Sequence, residues 1–142
     1  GERKANFARG LELHARATLL GEGCRGSLAQ QVIRRFGLDA GRDPQTYGLG
    51  VKEVWSVDPK KHRAGAVSHS IGWPLSEDTY GGSFIYHMPD NQVAIGLVVG
   101  LDYPNPYMSV YEELQRFKQH PAVRPLLQGG ECLQYGARTL VE

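Results

Sequence analysis

Ser83-Phe84-Ile85-Tyr86-His87-Met88-Pro89-Asp90-Asn91-Gln92-Val93-Ala94-Ile95-Gly96-Leu97-Val98-Val99-Gly100-Leu101 is the stretch on which the fold turns. Two strand candidates, 83–88 and 93–101, are joined by Pro89, Asp90 and Asn91, whose backbone preferences suit a turn. Residues 93–99 are nearly all apolar, which predicts a central strand covered on both faces. Upstream, 46–57 and 66–72 are further strand candidates, and Pro74 and Gly81-Gly82 break the series. Downstream, Tyr103-Pro104-Asn105-Pro106-Tyr107 cannot be helical, because each proline drives its predecessor toward extended conformations. Ser109 then caps a helix, with Glu112 as the reciprocal member of a capping box. Val110, Leu114 and Phe117 share one face of it, and Glu112 can pair with Arg116 one turn on. Pro121 ends that helix; a short helix at 122–127 and a last strand at 132–137 follow.

The amino-terminal part has a different rhythm. Residues 1–9 are polar and irregular. Leu11, Leu13, Ala15, Ala17 and Leu19 alternate as a strand would. A glycine turn follows, Gly21-Glu22-Gly23-Cys24-Arg25-Gly26, and Ser27 with Gln30 forms a capping box for a helix carrying Leu28, Val32 and Phe36. Gly37 stops the helix, and 39–45 is a polar linker. The order is strand, helix, several consecutive strands, helix, strand. It predicts an α+β fold with a mixed, largely antiparallel sheet and helices on one side.

Composition narrows the function. The 142 residues are 41% hydrophobic and 22% charged, as in an ordinary globular domain. Sixteen basic against fifteen acidic residues give a net charge of +1, which offers no electrostatic case for nucleic acid or an anionic membrane. Cys24 and Cys132 stand far apart without ligand spacing, so the chain should hold neither zinc nor an iron–sulfur cluster. No run approaches the roughly 18 apolar residues of a membrane span. Any membrane contact is expected to be peripheral or outside this segment.

Three stretches could carry chemistry. In Ala17-Thr18-Leu19-Leu20-Gly21-Glu22-Gly23-Cys24-Arg25-Gly26-Ser27, glycines permit a close backbone approach and a helix start offers N–H groups to an anion such as pyrophosphate. It resembles the second fingerprint of flavoprotein hydroxylases, with Glu22 where Asp is usual; a purely structural turn is the alternative. In Gly72-Trp73-Pro74-Leu75 and Thr79-Tyr80-Gly81-Gly82-Ser83-Phe84-Ile85-Tyr86-His87, paired glycines could lie against a flat ring. Tyr80, Trp73 and Phe84 could wall it, as a quinone requires; a Gly-Gly turn among core aromatics is the alternative. The third, Gly96-Leu97-Val98-Val99-Gly100-Leu101-Asp102-Tyr103-Pro104-Asn105-Pro106-Tyr107, is a buried strand feeding a rigid loop; Asp102 could be catalytic, but capping the loop is the better reading. His14, His62, His69, His87 and His120 show no metal spacing. His69 and His87, near the glycine pair, could donate to a quinone oxygen or shuttle a proton.

Read together, Pro44-Gln45-Thr46-Tyr47-Gly48-Leu49-Gly50-Val51-Lys52-Glu53-Val54-Trp55, Gly72-Trp73-Pro74-Leu75, Tyr80-Gly81-Gly82-Ser83-Phe84, the 96–107 block and Tyr135-Gly136-Ala137-Arg138 resemble the electron-transfer-flavoprotein:ubiquinone oxidoreductases in this order. The likeness covers 11–140. It implies that Gly81 and Gly82 match the glycine pair whose backbone meets the ubiquinone headgroup, with Tyr80 and Trp73 beside it. It also implies that Glu22 and Gly23 belong to the edge of an FAD domain. On this basis 1–38 would be the FAD-domain edge, 39–128 a ubiquinone-binding domain and 129–142 a return strand. The family's enzymes carry FAD and a 4Fe-4S cluster, take electrons from reduced electron transfer flavoprotein and reduce ubiquinone. They would sit peripherally on the inner membrane, at the mitochondrial matrix or bacterial cytoplasmic face. The G-x-G-x-x-G dinucleotide fingerprint and the cluster cysteines are missing here. This segment is therefore expected to seat quinone without holding FAD tightly, carrying a cluster or turning over alone. Two alternatives are a segment of another FAD-dependent enzyme, of geranylgeranyl reductase or hydroxylase type, and a stand-alone module for an apolar ligand or partner.

Overall fold

A computed structural model describes residues 3–141. The chain divides into two compact units, Gly1–Leu38 and Asp39–Glu142.

In the first unit only α1 (Ser27–Phe36) is regular. The alternating stretch from Leu11 to Leu19 is not a strand, and Leu11, Leu13 and Leu19 are more than 90% exposed, at 93%, 92% and 95%. Alternation alone cannot make a strand; another must lie alongside to take its N–H and C=O groups. The capping box at Ser27 and Gln30 is replaced too. Gly26 is the N-cap and makes no side-chain cap. Instead both Glu22 carboxylate oxygens reach under the helix, accepting from Leu28 N–H at 3.2 Å and Ala29 N–H at 2.7 Å. A carboxylate satisfies two orphan amides and complements the positive end of the helix, where a hydroxyl would satisfy one. Gly26 lacks a Cβ for a spatial reason, since one built there would overlap the Glu22 side chain. Gly37, at φ 58°, closes the helix as expected.

The second unit is a five-stranded sheet with helices. β1 (Tyr47–Ser56), β2 (Val67–Ile71), β3 (Gly81–Met88), β4 (Gln92–Gly100) and β5 (Glu131–Val141) lie in the order β2-β3-β4-β1-β5. Every pairing among them is antiparallel. The α+β reading holds. The β3–β4 hairpin turns through Asp90 and Asn91, at φ 59° and 55°, with Gln92 N–H on Pro89 C=O at 3.2 Å. Positive φ at both central positions is the twist-matched hairpin turn, and Asp and Asn tolerate it best after glycine.

The register assigns each side chain to a face. Val51 lies opposite Leu97, and Val93, Ile95, Leu97 and Val99 of β4 share a side. That side is closed by α2 (Val110–Lys118) and α3 (Arg124–Leu127), with Val110, Leu114, Phe117, Val123 and Leu127 in the same core cluster. Ile95, Leu97 and Leu114 are at most 1% exposed, and full burial of such side chains contributes about 1.5–3 kcal/mol each. The helices thus cover one side, as expected. On the other side Phe84, opposite Gly96, lays its ring over that glycine. An aromatic ring over a sheet glycine supplies the apolar cover that the missing side chain cannot.

Ser109 Oγ accepts from Glu112 N–H at 3.4 Å at the start of α2. Among the described residues the expected Glu112–Arg116 pair is not formed: Arg116 binds Glu113 instead, at 2.7 and 3.0 Å. Arg116 also leans over the Trp73 ring, 6.0 Å from its centroid.

Candidate functional site

The glycine pair opens β3. Gly100 N–H donates to Tyr80 C=O at 2.9 Å, and His87 N–H donates to Ala66 C=O at 2.9 Å. In an antiparallel ladder residues alternate in which neighbour they bond. Even-numbered residues of β3 therefore bond β4 and odd-numbered ones bond β2, which puts the N–H and C=O of Gly81 on the β2 side. But β2 ends at Ile71, the partner of Gly82. Gly81 faces the start of Gly72-Trp73-Pro74-Leu75, with which it makes no backbone hydrogen bond among the described residues. One donor and one acceptor are thus left open at the rim of the sheet.

Both glycines are also required by packing. A Cβ at Gly81 would overlap the Val98 carbonyl and come within 2.6 Å of Leu75 Cδ1; at Gly82 it would lie 2.5 Å from the Ser70 carbonyl. The strands on either side come too close for any side chain.

Beside this rim runs a groove of 380 Å³ lined by His69, Ile71, Trp73, Phe84, Phe117 and His120 among others, within the range of small-molecule sites. Trp73 is 47% exposed and its ring is held from α2, tilted against His120 at 5.0 Å and under Arg116. Ser70 and Ser83 hydroxyls are hydrogen-bonded to each other at the groove wall. His69 Nε2 and Tyr86 Oη are 3.2 Å apart, and Tyr86 stacks on Phe84 with ring centroids 4.8 Å apart. Tyr80 is elsewhere: its side chain is 74% exposed and lines none of the three principal grooves. A second groove, of 430 Å³, lies on the face away from the helices, where Val54, Phe84, Val98 and Leu140 meet Lys52 and Arg138.

The remaining candidates fall outside. His87 has its Nδ1 engaged by Arg63 N–H at 3.1 Å and its ring 5.1 Å from His62. Burial first, then the charges of His62 and Arg63, push the His87 imidazole below its ordinary value. Among the described residues Asp102 makes no capping hydrogen bond; the loop is held by Asn105 Oδ1, which accepts from Tyr107 N–H at 3.0 Å. Glu22 is engaged with α1, so the amides of Leu28 and Ala29 are closed to a pyrophosphate, and that helix start does not fit one. Gly23, at φ 81° with open space beside it, offers only its main chain. Both cysteines are free, and no group of three or more metal-ligating side chains exists among the described residues. No described helix is long and apolar enough to cross a membrane.

One cluster escaped sequence reasoning. Glu53, 5% exposed on the helix side of β1, accepts from Lys118 Nζ at 2.8 and 3.0 Å, Trp55 Nε1 at 2.7 Å and Gln115 Nε2 at 3.2 Å. Burial raises its carboxyl, but the hydrogen bonds and the Lys118 charge outweigh it and hold the group below the ordinary range. The signal was an acidic residue in phase with Val51 and Trp55.

Residues 47–140 match the family model described as ETF-QO, ubiquinone-binding. The chain belongs to the electron transfer flavoprotein-ubiquinone oxidoreductase family. It is 58% identical to the mitochondrial electron transfer flavoprotein-ubiquinone oxidoreductase of rice, 55% to that of Homo sapiens and 54% to that of Dictyostelium discoideum, each across 100% of this chain. It spans only about a quarter of these relatives, 25%, 23% and 23% respectively. Among solved structures, a triple mutant of a flavin-dependent brominase superposes with a TM-score of 0.52 at 13% identity, over 80% of this chain and 29% of the brominase chain. That likeness concerns the fold. The family match sets aside the geranylgeranyl reductase and hydroxylase alternatives.

Proposed function

We propose that this chain is the quinone-seating segment of an oxidoreductase that passes electrons from reduced electron transfer flavoprotein, through a 4Fe-4S cluster and FAD, to ubiquinone. The observation that carries this reading is the open N–H and C=O of Gly81 at the end of β2, beside a groove walled by Trp73. A quinone carbonyl is an acceptor on a flat ring. It needs a fixed donor at the ring's edge and apolar surface against its face, and a backbone amide flanked by an indole supplies both. Gly82 lets the strands close up so that this edge stays rigid. Tyr80, exposed next to the pair, is a contact for the quinone tail rather than the ring.

In this reading 39–128 is the ubiquinone domain, while 1–38 and 129–142 are its connections to the flavin domain. FAD supplies the electrons when bound by the longer enzyme; the 21–27 turn offers it the main chain of Gly23, not a phosphate site. The relatives are named mitochondrial, and the proposed location is peripheral on the inner membrane, through parts outside this segment.

Binding of a short-tail ubiquinone to the chain, followed by calorimetry, tests the site. Gly82→Val is a poor probe, because its Cβ would strain the β2–β3 ladder whatever the ligand. Trp73→Leu keeps the backbone and removes the indole. An aromatic contact is worth about 0.5–1.5 kcal/mol, so roughly tenfold weaker binding is expected. Equal affinity in wild type and Trp73→Leu would remove the groove from consideration.

A further inference from the structure

On its helix side the 380 Å³ groove is walled by a ring with one committed nitrogen and one free. His120 lines the groove there together with Trp73 and Phe117. It sits where α2 gives way to α3, and its main chain is fixed from both directions. Its N–H donates to Phe117 C=O at 3.1 Å, and its C=O accepts from Val123 N–H and Arg124 N–H, both at 2.9 Å. The imidazole lies against the Trp73 indole with ring centroids 5.0 Å apart, and Arg116, one turn earlier, leans over the same indole. His69 is turned the other way. The β2–β3 register places it with Phe84, and its Nε2 is engaged with Tyr86 Oη.

The bond to Ala122 decides which nitrogen of His120 carries the proton. Nδ1 accepts from Ala122 N–H at 3.2 Å, so in the neutral ring Nδ1 is bare and Nε2 holds the hydrogen. Nε2 has no partner among the described residues. Nor is it sealed off, because the one buried side-chain nitrogen or oxygen there without a partner is His62 Nε2. No carboxylate lines the groove to claim the N–H, and the Ser70 and Ser83 hydroxyls are bonded to each other. We propose that His120 is a binding residue for the quinone headgroup, donating from Nε2–H to a ring oxygen while its face steadies Trp73; this rests on the quinone-seating reading above. A fixed side-chain donor beside an aromatic wall is what orients a flat ligand in an apolar groove. It also selects. An apolar ring of the same outline leaves the donor unpaired, and a site built around a hydrogen bond rejects such an analogue.

Three substitutions separate the donor from the ring. His120→Asn keeps an acceptor for Ala122 N–H and loses the Nε2 donor, whereas His120→Gln places an amide N–H close to where Nε2 stands. His120→Phe keeps a ring against Trp73 and loses both nitrogens. Each is compared in the full-length oxidoreductase carrying this segment, by KM and kcat with a short-tail ubiquinone, and by calorimetry on the chain itself. One hydrogen bond is worth up to about tenfold in affinity. His120→Asn and His120→Phe should therefore each weaken binding and raise KM by roughly that factor with kcat little changed, and His120→Gln should recover most of the loss. Wild-type affinity in both His120→Asn and His120→Phe overturns the donor role. So does an equal loss in all three variants, which assigns His120 to packing alone. If His120→Phe does not melt cooperatively, the comparison of His120→Asn with His120→Gln decides. Quinone binding absent from the wild-type chain as well overturns the seating reading instead.

Discussion

Glu53 shows how a single side chain can hold two elements together. Removing one partner of a buried pair leaves a charge without compensation, at a cost of about 3–5 kcal/mol, so Lys118→Met should lower stability in urea unfolding by about that much. The carboxyl is held below its ordinary 4.5. The unfolded chain then binds the proton first, and the pair's contribution is full above about pH 4.5 and lost as pH falls through the folded value. His87 acts earlier on the pH scale. Its folded value lies below the ordinary 6.5, so its contribution is full above about pH 6.5 and declines as acid drives the unfolded chain to take the proton. Unfolding midpoints measured from pH 8 to about pH 2 should fall in two limbs. His87→Gln should erase the first and Glu53→Gln the second; a single limb unaffected by either variant would contradict both assignments.

At the scale of elements, α1 depends on a cap that lies outside it. Glu22→Ala frees two amides at once and should cost about 1–2 kcal/mol, read as faster hydrogen exchange at Leu28 and Ala29, whereas Ser27→Ala should change little. Sequence patterns located nearly every element of the second unit because strand length, turn residues and helix caps are local: Asp90-Asn91 marks the hairpin and Ser109 the start of α2. They failed at Leu11 to Leu19, where alternation lacked a neighbouring strand, and at Ser27, where a carboxylate five residues upstream displaced the hydroxyl. Arg116 pairs with Glu113 rather than Glu112, and also meets Trp73, a residue 43 positions away. Each failure has the same physical form: the deciding partner was not within reach of a local pattern.

For the molecule as a whole, stability and the site are distributed unequally. All residues of β5 are exposed, and none belongs to the core cluster. Deleting 131–142 should leave a cooperatively melting four-stranded core, with a lower Tm from the lost β1 ladder; a non-cooperative melt would show that the core extends to β5. The glycine pair was visible in the sequence, but its reason was not. The open amide of Gly81 arises because β2 stops one residue short, which only the assembled sheet reveals. Tyr80, next in sequence, lines none of the three principal grooves, while Trp73, eight residues before Gly81, lines the one beside it.

The division of the sheet between a side closed by helices and a side left bare has a consequence for how such a protein can change. Successive residues of a strand alternate between these sides, so each strand holds two interleaved records. Substitutions at Ile95, Leu97 or Val99 register as loss of the folded state. Those at Lys52, His69 or Arg138, exposed on the other side, should leave melting nearly unmoved. A lineage can therefore rewrite one record while copying the other faithfully, without ever passing through an unfolded ancestor.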